Sequence, residues 1–368
     1  MDLLEQAAGP LHVVEAVRRI DGLAPLDGYQ GELVTVVGRL LAQGVDVLDV
    51  TQAVARVNDI LTARLLRLAE AELGPPPRAY AWLALGSHGR GEQVLSSDQD
   101  SALAYDDRAP AAGAAAAGPE AAAGPAGTAA AGAAAAAEYF HRLAAWVVTA
   151  LARAGLPLCD GGYMATTWCR PIGEFSALFR SWVEQPEPDA LLKAEVFLDV
   201  RPVHGELSVD VLERILVAGG SQGRFLVQMA RAGVTFTPAL GLFGKLRTRD
   251  GAIDVKRAGI AAIVLLARLY GMAAGSSGRT TLDRLEDAAA AGTLSRVGAA
   301  DLAEAYRHLT TLRLRHQVDQ VSAGDLPDNQ IRLDHLSPAD RRRLRESMRV
   351  VRDVQNVTAM RFSTSSVT

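Results

Sequence analysis

Apolar residues recur at helical spacing in the first part of the chain. After Val50 they lie three or four residues apart with polar residues between them, at Val54, Val57, Leu61, Leu65 and Leu68. The sequence Gly-Pro-Pro-Pro at 74–77 ends this helix, because proline lacks an N–H group and clashes with the preceding turn. Residues 33–41 indicate a second helix that ends near Gly44. The pattern predicts a helical N-terminal unit over residues 1–77.

A different pattern follows the prolines. Residues 80–85 form a short apolar run that is typical of a buried strand, and residues 98–105 and 196–201 are two further strand candidates. Residues 137–154 have the composition of a helix. Short strands mixed with helices predict an α/β or α+β unit over residues 78–206.

Small residues dominate a segment inside this second unit, at 108–137. From residue 111 to residue 137 the one charged residue is Glu120, and five glycines and two prolines interrupt an otherwise alanine-rich sequence. Such a segment has little apolar surface to bury, so we expect a mobile surface insertion.

The remainder of the chain has helical periodicity and no evident strand. The periodic segments are 212–217, 225–229, 260–270, 302–314 and 344–357. They predict an all-helical unit over residues 207–368, which is within the usual size of a domain.

Composition and charge narrow the class of protein. Lys+Arg number 38 against 42 Asp+Glu, so the net charge of −4 lacks the basic surplus of a general nucleic-acid binder. Two cysteines, Cys159 and Cys169, are too few for a disulfide framework or a four-thiolate zinc site, and we expect both to be buried. The longest apolar stretch, 259–267, is far short of the ~20 residues that span a bilayer. With no signal peptide visible, we expect a cytoplasmic protein with no membrane or nucleic-acid partner.

The candidate chemistry lies directly after the first strand. Residues 85–93 read LGSHGRGEQ, and residues 96–100 read SSDQD. Glycine removes the Cβ atom that would keep the backbone of Gly86 and Ser87 away from a phosphate. A helix that begins near Gly89 would direct its free N–H groups at the same anion, and Arg90 could add a bidentate contact.

Three aspartates are candidate metal ligands. Asp98 and Asp100 are two residues apart in the second predicted strand, so both carboxylates would lie on one face and could share a divalent cation. Asp199 lies in the apolar sequence VFLDVRPV, where an unpaired charge is costly to bury. On the residues alone, Asp199 is either paired with Arg201 or a metal ligand.

These motifs resemble those of a known family. GSHGRGEQ followed by SDQD is similar to the Gly-Ser and Asp-x-Asp signature of the DNA polymerase β nucleotidyltransferase superfamily. More closely, the chain resembles the nucleotidyltransferase family found beside CBS and cyclic-nucleotide-binding modules in bacterial signal-transduction proteins, which is related to the nitrogen-regulatory uridylyltransferase. The resemblance continues through CDGGYMAT, FLDVRPVHGE, PALGLFG, IDVKRAG and LRHQVDQ, so it covers nearly the whole chain.

The resemblance implies an α+β fold in which a polymerase-β-like core with a mixed sheet lies between helical units, the last of them a substrate-binding domain. It assigns catalysis and two Mg²⁺ ions to Asp98, Asp100 and Asp199, and nucleotide binding to Gly86, Ser87, Arg90 and Glu92. Two departures are His88, where an acidic residue is expected, and the alanine-rich insertion. Neither removes a predicted ligand.

The implied function is the transfer of a nucleoside monophosphate from ATP or UTP to an acceptor hydroxyl, with release of pyrophosphate. By analogy with the uridylyltransferase, we expect a protein acceptor in signal transduction. The alternatives are a non-catalytic nucleotide-binding regulatory module and a nucleotidyltransferase that modifies a small molecule such as an antibiotic.

Other polar residues have two interpretations each. We expect His88 to be an exposed loop residue, although it could contact the nucleotide. Lys256 and Arg257 could hold phosphates or form a solvated or cap-pairing cluster. A polar helix segment could face the cleft or serve helix packing; it contains Arg313, Arg315, His316, Gln317 and Gln320.

Overall fold

The computed structural model describes residues 8–107, 125–187 and 194–364. Three helices open the chain: α1 (Ala8–Arg18), α2 (Tyr29–Ala42) and α3 (Val47–Leu73). The Asp46 side chain caps α3 by accepting a hydrogen bond from the N–H of Leu48 at 2.9 Å. The helix ends at Leu73, and Gly74 follows it directly before the prolines, so the predicted helical pattern is confirmed.

A four-stranded mixed sheet follows, in the order β3-β2-β1-β4. Its central strand β1 is antiparallel to both β2 and β4, whereas β2 and β3 are parallel. A short helix, α4, lies between β1 and β2 in the chain. The bounds are β1 (Tyr80–Ala84), α4 (Gly86–Arg90), β2 (Ser101–Tyr105), β3 (Cys169–Pro171) and β4 (Arg201–Gly205).

Two of the three strand predictions need correction. Asp98 and Asp100 lie in the loop before β2, so strand alternation does not place them on one face. Residues 197–199 form a 3₁₀ turn, and the strand starts only at Arg201. An apolar run shows that a segment is buried, but it does not distinguish a strand from a buried helical turn.

Two longer helices cover the sheet: α5 (Pro125–Arg153) and α6 (Ile172–Glu184). The alanine-rich segment is helical from Pro125 onward, which local composition did not indicate. Residues 130–135 lie on the surface as expected, and Ala136 is buried. Residues 108–124 lie outside the described part of the chain.

The last part of the chain contains six helices and a two-stranded antiparallel ribbon within its described residues. The ribbon corrects the prediction of an all-helical unit. The ribbon pairs residues that are 76 to 80 positions apart, and local periodicity cannot reveal such long-range pairing. The elements are α7 (Asp210–Gly219), α8 (Gly223–Thr235), β5 (Ala252–Asp254), α9 (Ala261–Ala273), α10 (Thr281–Ala290), α11 (Arg296–Ser322), β6 (Gln330–Arg332) and α12 (Pro338–Arg361).

The hydrophobic core crosses the boundaries predicted at 77/78 and 206/207. One face of the sheet packs on α3 and α5, in a cluster that also contains the C-terminal helices. The other face packs on α6, α7 and α8. Helix α11 contacts α2, α3 and α12, so the first and last units touch each other directly. Among the described residues, no helix is long and apolar enough to cross a membrane.

Close packing of α4 on the 3₁₀ turn generates the first prediction. A Cβ atom on Gly89 would lie 1.9 Å from the carbonyl oxygen of Asp199, which leaves no space for any side chain. Gly89→Ala should therefore lower the free energy of unfolding by roughly 1–3 kcal/mol or more in urea denaturation. The control is Gly31→Ala in α2, where a Cβ meets nothing within 4 Å; it should be neutral or stabilising. Equal effects of the two substitutions would contradict the packing argument.

Candidate active site

A cleft of about 250 Å³ lies between the sheet unit and the C-terminal helices. The sheet side contributes six of the predicted site residues, which the fold brings together: Gly86, Ser87, Arg90, Glu92, Asp98 and Asp100. The helical side contributes Lys256, Arg268, Tyr306, Thr310 and Arg313. The seventh predicted residue, Asp199, does not line this cleft; it borders a neighbouring pocket of about 120 Å³.

Backbone hydrogen bonds fix the Gly-Ser turn at the end of β1. The N–H of Gly86 donates to the carbonyl of Val196, and the N–H of Leu85 donates to the carbonyl of Asp100, both at 3.0 Å. Gly86 has φ = +52°, and a Cβ there would lie 2.7 Å from Oδ2 of Asp100. Glycine is therefore required here by conformation and by the carboxylate beside it. The following helix starts at Gly86, not near Gly89 as predicted, and has only five residues.

Asp98 and Asp100 lie in the same cleft although they are not on a strand. Burial raises the pKa of Asp98 above its ordinary value, with Asp160 adding to the effect. The pKa of Asp100 is raised to about 6, mainly by burial. The negative charge of Asp98 also raises this pKa, whereas a hydrogen bond from the Cys159 thiol lowers it. Two partly desolvated carboxylates are thus held close to each other, and the positive charge of Lys256, which lowers the pKa of both, offsets the effect of burial only in part.

Asp199 is completely enclosed by arginines. Oδ2 accepts hydrogen bonds from Arg90 and from Nη2 of Arg268, the latter at 2.5 Å, and Oδ1 accepts from Nη1 of Arg284 at 2.6 Å. Burial alone would raise its pKa, but Arg268, Arg90 and Arg284 together hold the pKa well below the ordinary value. Asp199 would have to exchange an arginine for a metal ion in order to act as a ligand.

Arg201 is not the partner of Asp199, which corrects that alternative. Its guanidinium forms two hydrogen bonds of 2.9 Å with Asp59 of α3 and further ones with the carbonyls of His88 and Gly89. His88 also contacts Asp59, with 2.7 Å between Nε2 and Oδ1. Since His88 is only 7% exposed, the prediction of an exposed histidine is wrong. This network fixes α4 to the N-terminal helices.

Arg90 and Glu92 line the cleft, but other side chains hold both of them. Nε of Arg90 donates to Glu92 at 2.6 Å, and its Nη1 donates to Asp199. Glu92 accepts from both the N–H and the hydroxyl of Thr281, at the start of α10. The two residues thereby join the Gly-Ser turn to the C-terminal helices.

Three further residues border the cleft, and the sequence analysis did not select them. Each has at least one buried polar atom that forms no hydrogen bond with any described residue. These atoms are Oε1 of Glu195, Nε and Nη1 of Arg268, and Oγ1 of Thr310. Burial raises the pKa of Glu195, while Arg268 lowers it. The sequence could have indicated Arg268, because it is the one charged residue in the apolar run 260–270. The same criterion selected Asp199.

The structure also decides several open interpretations. Lys256 borders the cleft, whereas the N–H of Arg257 donates to Asp254 in a cap. Arg313 does both of the things considered for it: it borders the cleft and donates to Asn329 and Ser96, at 2.6 and 3.2 Å. Cys159 and Cys169 are free and buried, as predicted.

The enclosure of Asp199 generates a prediction about stability. Asp199→Asn leaves three buried guanidiniums without their common carboxylate, and breaking such an ion pair costs roughly 3–5 kcal/mol. Urea denaturation should show a loss of this size, with no added Mg²⁺ needed to reveal it. The control Asp301→Asn changes an exposed helical aspartate and should have little effect. A normally stable Asp199→Asn protein would instead favour the metal-ligand role.

The same ion pairs predict a pH dependence. Because the pKa of Asp199 is depressed in the folded state, its ionised form stabilises the fold at every pH above the ordinary carboxyl value of 3.8. That contribution is lost as the pH falls below 3.8 toward the folded-state value. The stability difference between wild type and Asp199→Asn should therefore be constant from pH 5 to pH 8 and shrink below pH 4.

Comparison with known proteins gives a family for this arrangement. The family model described as "Putative nucleotidyltransferase DUF294" matches residues 31–189, and the model described as "Putative nucleotidyltransferase substrate binding domain" matches residues 223–362. The first range includes the Gly-Ser turn with Asp98 and Asp100, and the second includes Lys256, Arg268 and Arg313.

A curated relative is similar to about half of the chain. The bifunctional glutamine synthetase adenylyltransferase/adenylyl-removing enzyme of Streptomyces avermitilis is 32% identical over 193 residues. The match covers 49% of this chain and 17% of the relative, so the chain corresponds to a small part of that enzyme. With both family models matched in sequence and the predicted Gly-Ser and Asp-x-Asp residues in one cleft, the chain belongs to the DUF294 nucleotidyltransferase family.

Proposed function

We propose that this protein transfers a nucleoside monophosphate from a nucleoside triphosphate to an acceptor hydroxyl and releases pyrophosphate. The observation that carries the proposal is the composition of the cleft. Asp98 and Asp100 lie beside the Gly86–Ser87 turn, with Lys256 and Arg313 also lining the cleft. Carboxylates that attract divalent cations and basic groups that attract phosphates are the two requirements of this reaction.

In the proposed reaction the acceptor oxygen attacks the α-phosphorus. The bond from that phosphorus to the oxygen bridging to the β-phosphate breaks, pyrophosphate leaves, and the hydroxyl proton passes to water. Lys256 and Arg313 would bind the phosphates, and Ser87 would contact them from the turn. The close approach allowed by Gly86 would let the nucleotide reach Asp98 and Asp100.

The residues of the cleft fit Mg²⁺, whose preferred ligands are carboxylate oxygens. Asp98 and Asp100 would hold it, and when bound it would neutralise phosphate charge and align the reacting oxygens. No group of three His, Cys, Asp or Glu side chains within the described residues is close enough to form a complete site, so the nucleotide would supply further ligands.

For the acceptor we propose a hydroxyl of a protein. The name of the Streptomyces relative describes transfer of an adenylyl group to glutamine synthetase, which is itself a protein. The uridylyltransferase resemblance points to a protein acceptor as well. ATP is the first nucleotide to test, and UTP is the second. We place this transfer reaction in cytoplasmic signal transduction.

One observation favours a second candidate, a regulatory module that binds a nucleotide without transferring it. Asp199, the residue expected to complete the metal site, is engaged by three arginines. A module of this kind would bind the triphosphate and leave it intact.

The transfer assay separates the two candidates. The protein is incubated with Mg²⁺, a host lysate and ATP or UTP labelled at either the α- or the γ-phosphate. Nucleotidyl transfer should place only the α-label on a protein band, because the γ-phosphate leaves with pyrophosphate. Asp98→Asn should abolish labelling, and the exposed control Asp301→Asn should retain it. Tight nucleotide binding with no α-label on any band would favour the regulatory module.

Burial of Asp100 predicts how Mg²⁺ affects stability. Without metal at pH 8, the fold must accommodate an ionised carboxylate whose pKa is raised to about 6, so Asp100→Asn should stabilise the protein by roughly 1–3 kcal/mol in EDTA. Mg²⁺ should raise the Tm of wild type, because it binds only the folded state, and should not raise that of Asp100→Asn. Asp301→Asn again serves as control. An equal Mg²⁺ shift in the Asp100 variant would contradict the proposed site.

A further inference from the structure

A hairpin in the C-terminal half of the chain has a strained and exposed aromatic residue at its tip. In this Phe243 hairpin, residues 239–247, the chain reverses direction and Leu240 and Leu246 form a β-bridge. Phe243 has φ = +59°, a conformation that bulky residues rarely adopt. The residue is 96% exposed, so no packing within the described chain offsets this strain. Strain that the fold does not reward indicates a function for the side chain.

The base of the Phe243 hairpin is held firmly on the protein. Ala239 and Leu240 are part of the hydrophobic core, and Leu246 packs against it. The N–H of Arg247 also donates to the carbonyl of Ala239 at 2.9 Å. A fixed stem therefore presents the exposed ring to a partner.

The hairpin and the residues directly after it are basic. Lys245, Arg247 and Arg249 occupy every second position and are all exposed. No ion pair within the described part of the chain involves any of these three residues. From residue 238 to residue 251 the one acidic residue is Asp250, so this segment has a surplus of two positive charges. The whole chain, by contrast, has a net charge of −4.

Helix α12 borders the tip of the hairpin without adding to this surplus. A Cβ atom on Gly244 would lie 3.1 Å from Nη2 of Arg349, so this guanidinium lies beside the turn. Glu346 lies one helical turn before Arg349, and Asp353 pairs with Arg352 at 3.6 Å. The surplus of positive charge therefore belongs to the hairpin segment itself.

The chain on both sides of the hairpin leads into the candidate active-site cleft. Phe236, three residues before the hairpin, and Lys256, two residues after β5, both line the cleft. The carbonyl of Phe236 accepts a hydrogen bond from Nε2 of Gln355 at 2.8 Å, which fixes this end of the connection. An extended chain spans at most ~3.6 Å per residue, so the Cα atom of Leu240 lies within ~14 Å of that of Phe236. The base of the hairpin is therefore close to the cleft.

We infer that the Phe243 hairpin binds the acceptor protein, with the ring of Phe243 in an apolar pocket and the basic residues after it on an acidic surface. The inference rests on the proposed function and names the surface that would select the acceptor. A protein whose hydroxyl enters the cleft must cover the region around it, where the hairpin lies. Aromatic residues and arginine are enriched in protein interfaces, and complementary charge guides association and orientation.

An anionic membrane also attracts an aromatic residue beside basic ones. Lipid-binding segments have clusters of about four to eight Lys or Arg residues, whereas this segment has three and an aspartate next to them. One exposed ring also buries little apolar area. The charge and the position beside the cleft therefore favour an acidic protein surface.

Transfer kinetics of Phe243→Ala test the inference. The acceptor is the protein band that wild type labels from the α-labelled nucleotide, enriched from the host lysate by following the label. The substitution should raise the KM for this acceptor by about tenfold or more, because a buried aromatic anchor carries much of the binding energy of an interface. At saturating acceptor, kcat should equal that of wild type, and calorimetry should show unchanged Mg-ATP affinity. Val297→Ala, at a 71% exposed position on α11, is the matched control and should change neither constant.

Phe243→Gly separates docking from a structural role. Glycine adopts φ = +59° without strain, so the Tm of this variant should equal or exceed that of wild type. Its KM for the acceptor should nevertheless rise as in Phe243→Ala. Lys245→Glu should raise this KM as well, and added NaCl should raise the KM of wild type more than that of the variant, because salt screens the attraction. Arg142→Glu, which reverses an exposed charge on α5, should leave the KM unchanged.

The outcomes separate this inference from the proposed function. An unchanged acceptor KM in both Phe243 variants would overturn the inference and leave nucleotidyl transfer intact. A loss of Mg-ATP affinity equal to the loss of acceptor affinity would also overturn it, because the cleft itself would then be altered. Phe243-dependent sedimentation with phosphatidylglycerol vesicles, at unchanged acceptor KM, would assign the hairpin to a membrane instead. If wild type labels no protein band, the proposed transfer to a protein fails and the inference with it.

Discussion

The carboxylate of Asp199 holds together the parts that form the cleft. A single buried negative charge binds Arg90 on α4, Arg268 on α9 and Arg284 on α10. Charges of either sign are costly to bury alone, so each of these residues requires the others. The position of the Gly-Ser turn against the C-terminal helices therefore depends on electrostatic pairing as well as on apolar packing.

Around this cluster the cleft has groups of opposite charge, and within the described part of the chain they act on one another without forming a direct ion pair. Asp98, Asp100 and Glu195 come from the sheet unit, and Lys256 and Arg313 come from the helical unit. The raised pKa values of the three carboxyls reflect their burial, which the positive charges of Lys256 and Arg268 offset only in part. Such a cost is common at functional sites, where a ligand supplies what the chain lacks.

Local patterns predicted the helices and the Gly-Ser motif well, because periodicity and prolines act over a few residues. They also predicted that Asp98 and Asp100 lie close together. The two aspartates do so in the loop before β2, however, and not on one face of a strand. The partners of Asp199 could not be predicted, since Arg90 and Arg284 are 109 and 85 residues away from it. The buried His88 was missed for the same reason: its partner Asp59 lies on another helix.

The sequence distance between Asp199 and its partners has a consequence for biosynthesis. When the ribosome has completed the sheet at β4, the arginines of α9 and α10 have not yet been made. Until then the Asp199 carboxylate has only Arg90 as a partner, and the apolar surface beneath the C-terminal helices is open to water. We therefore expect the last steps of folding to wait for the second half of the chain, as long-range contacts slow folding in general. Chaperones would meet this protein as a complete four-stranded sheet with an exposed apolar face.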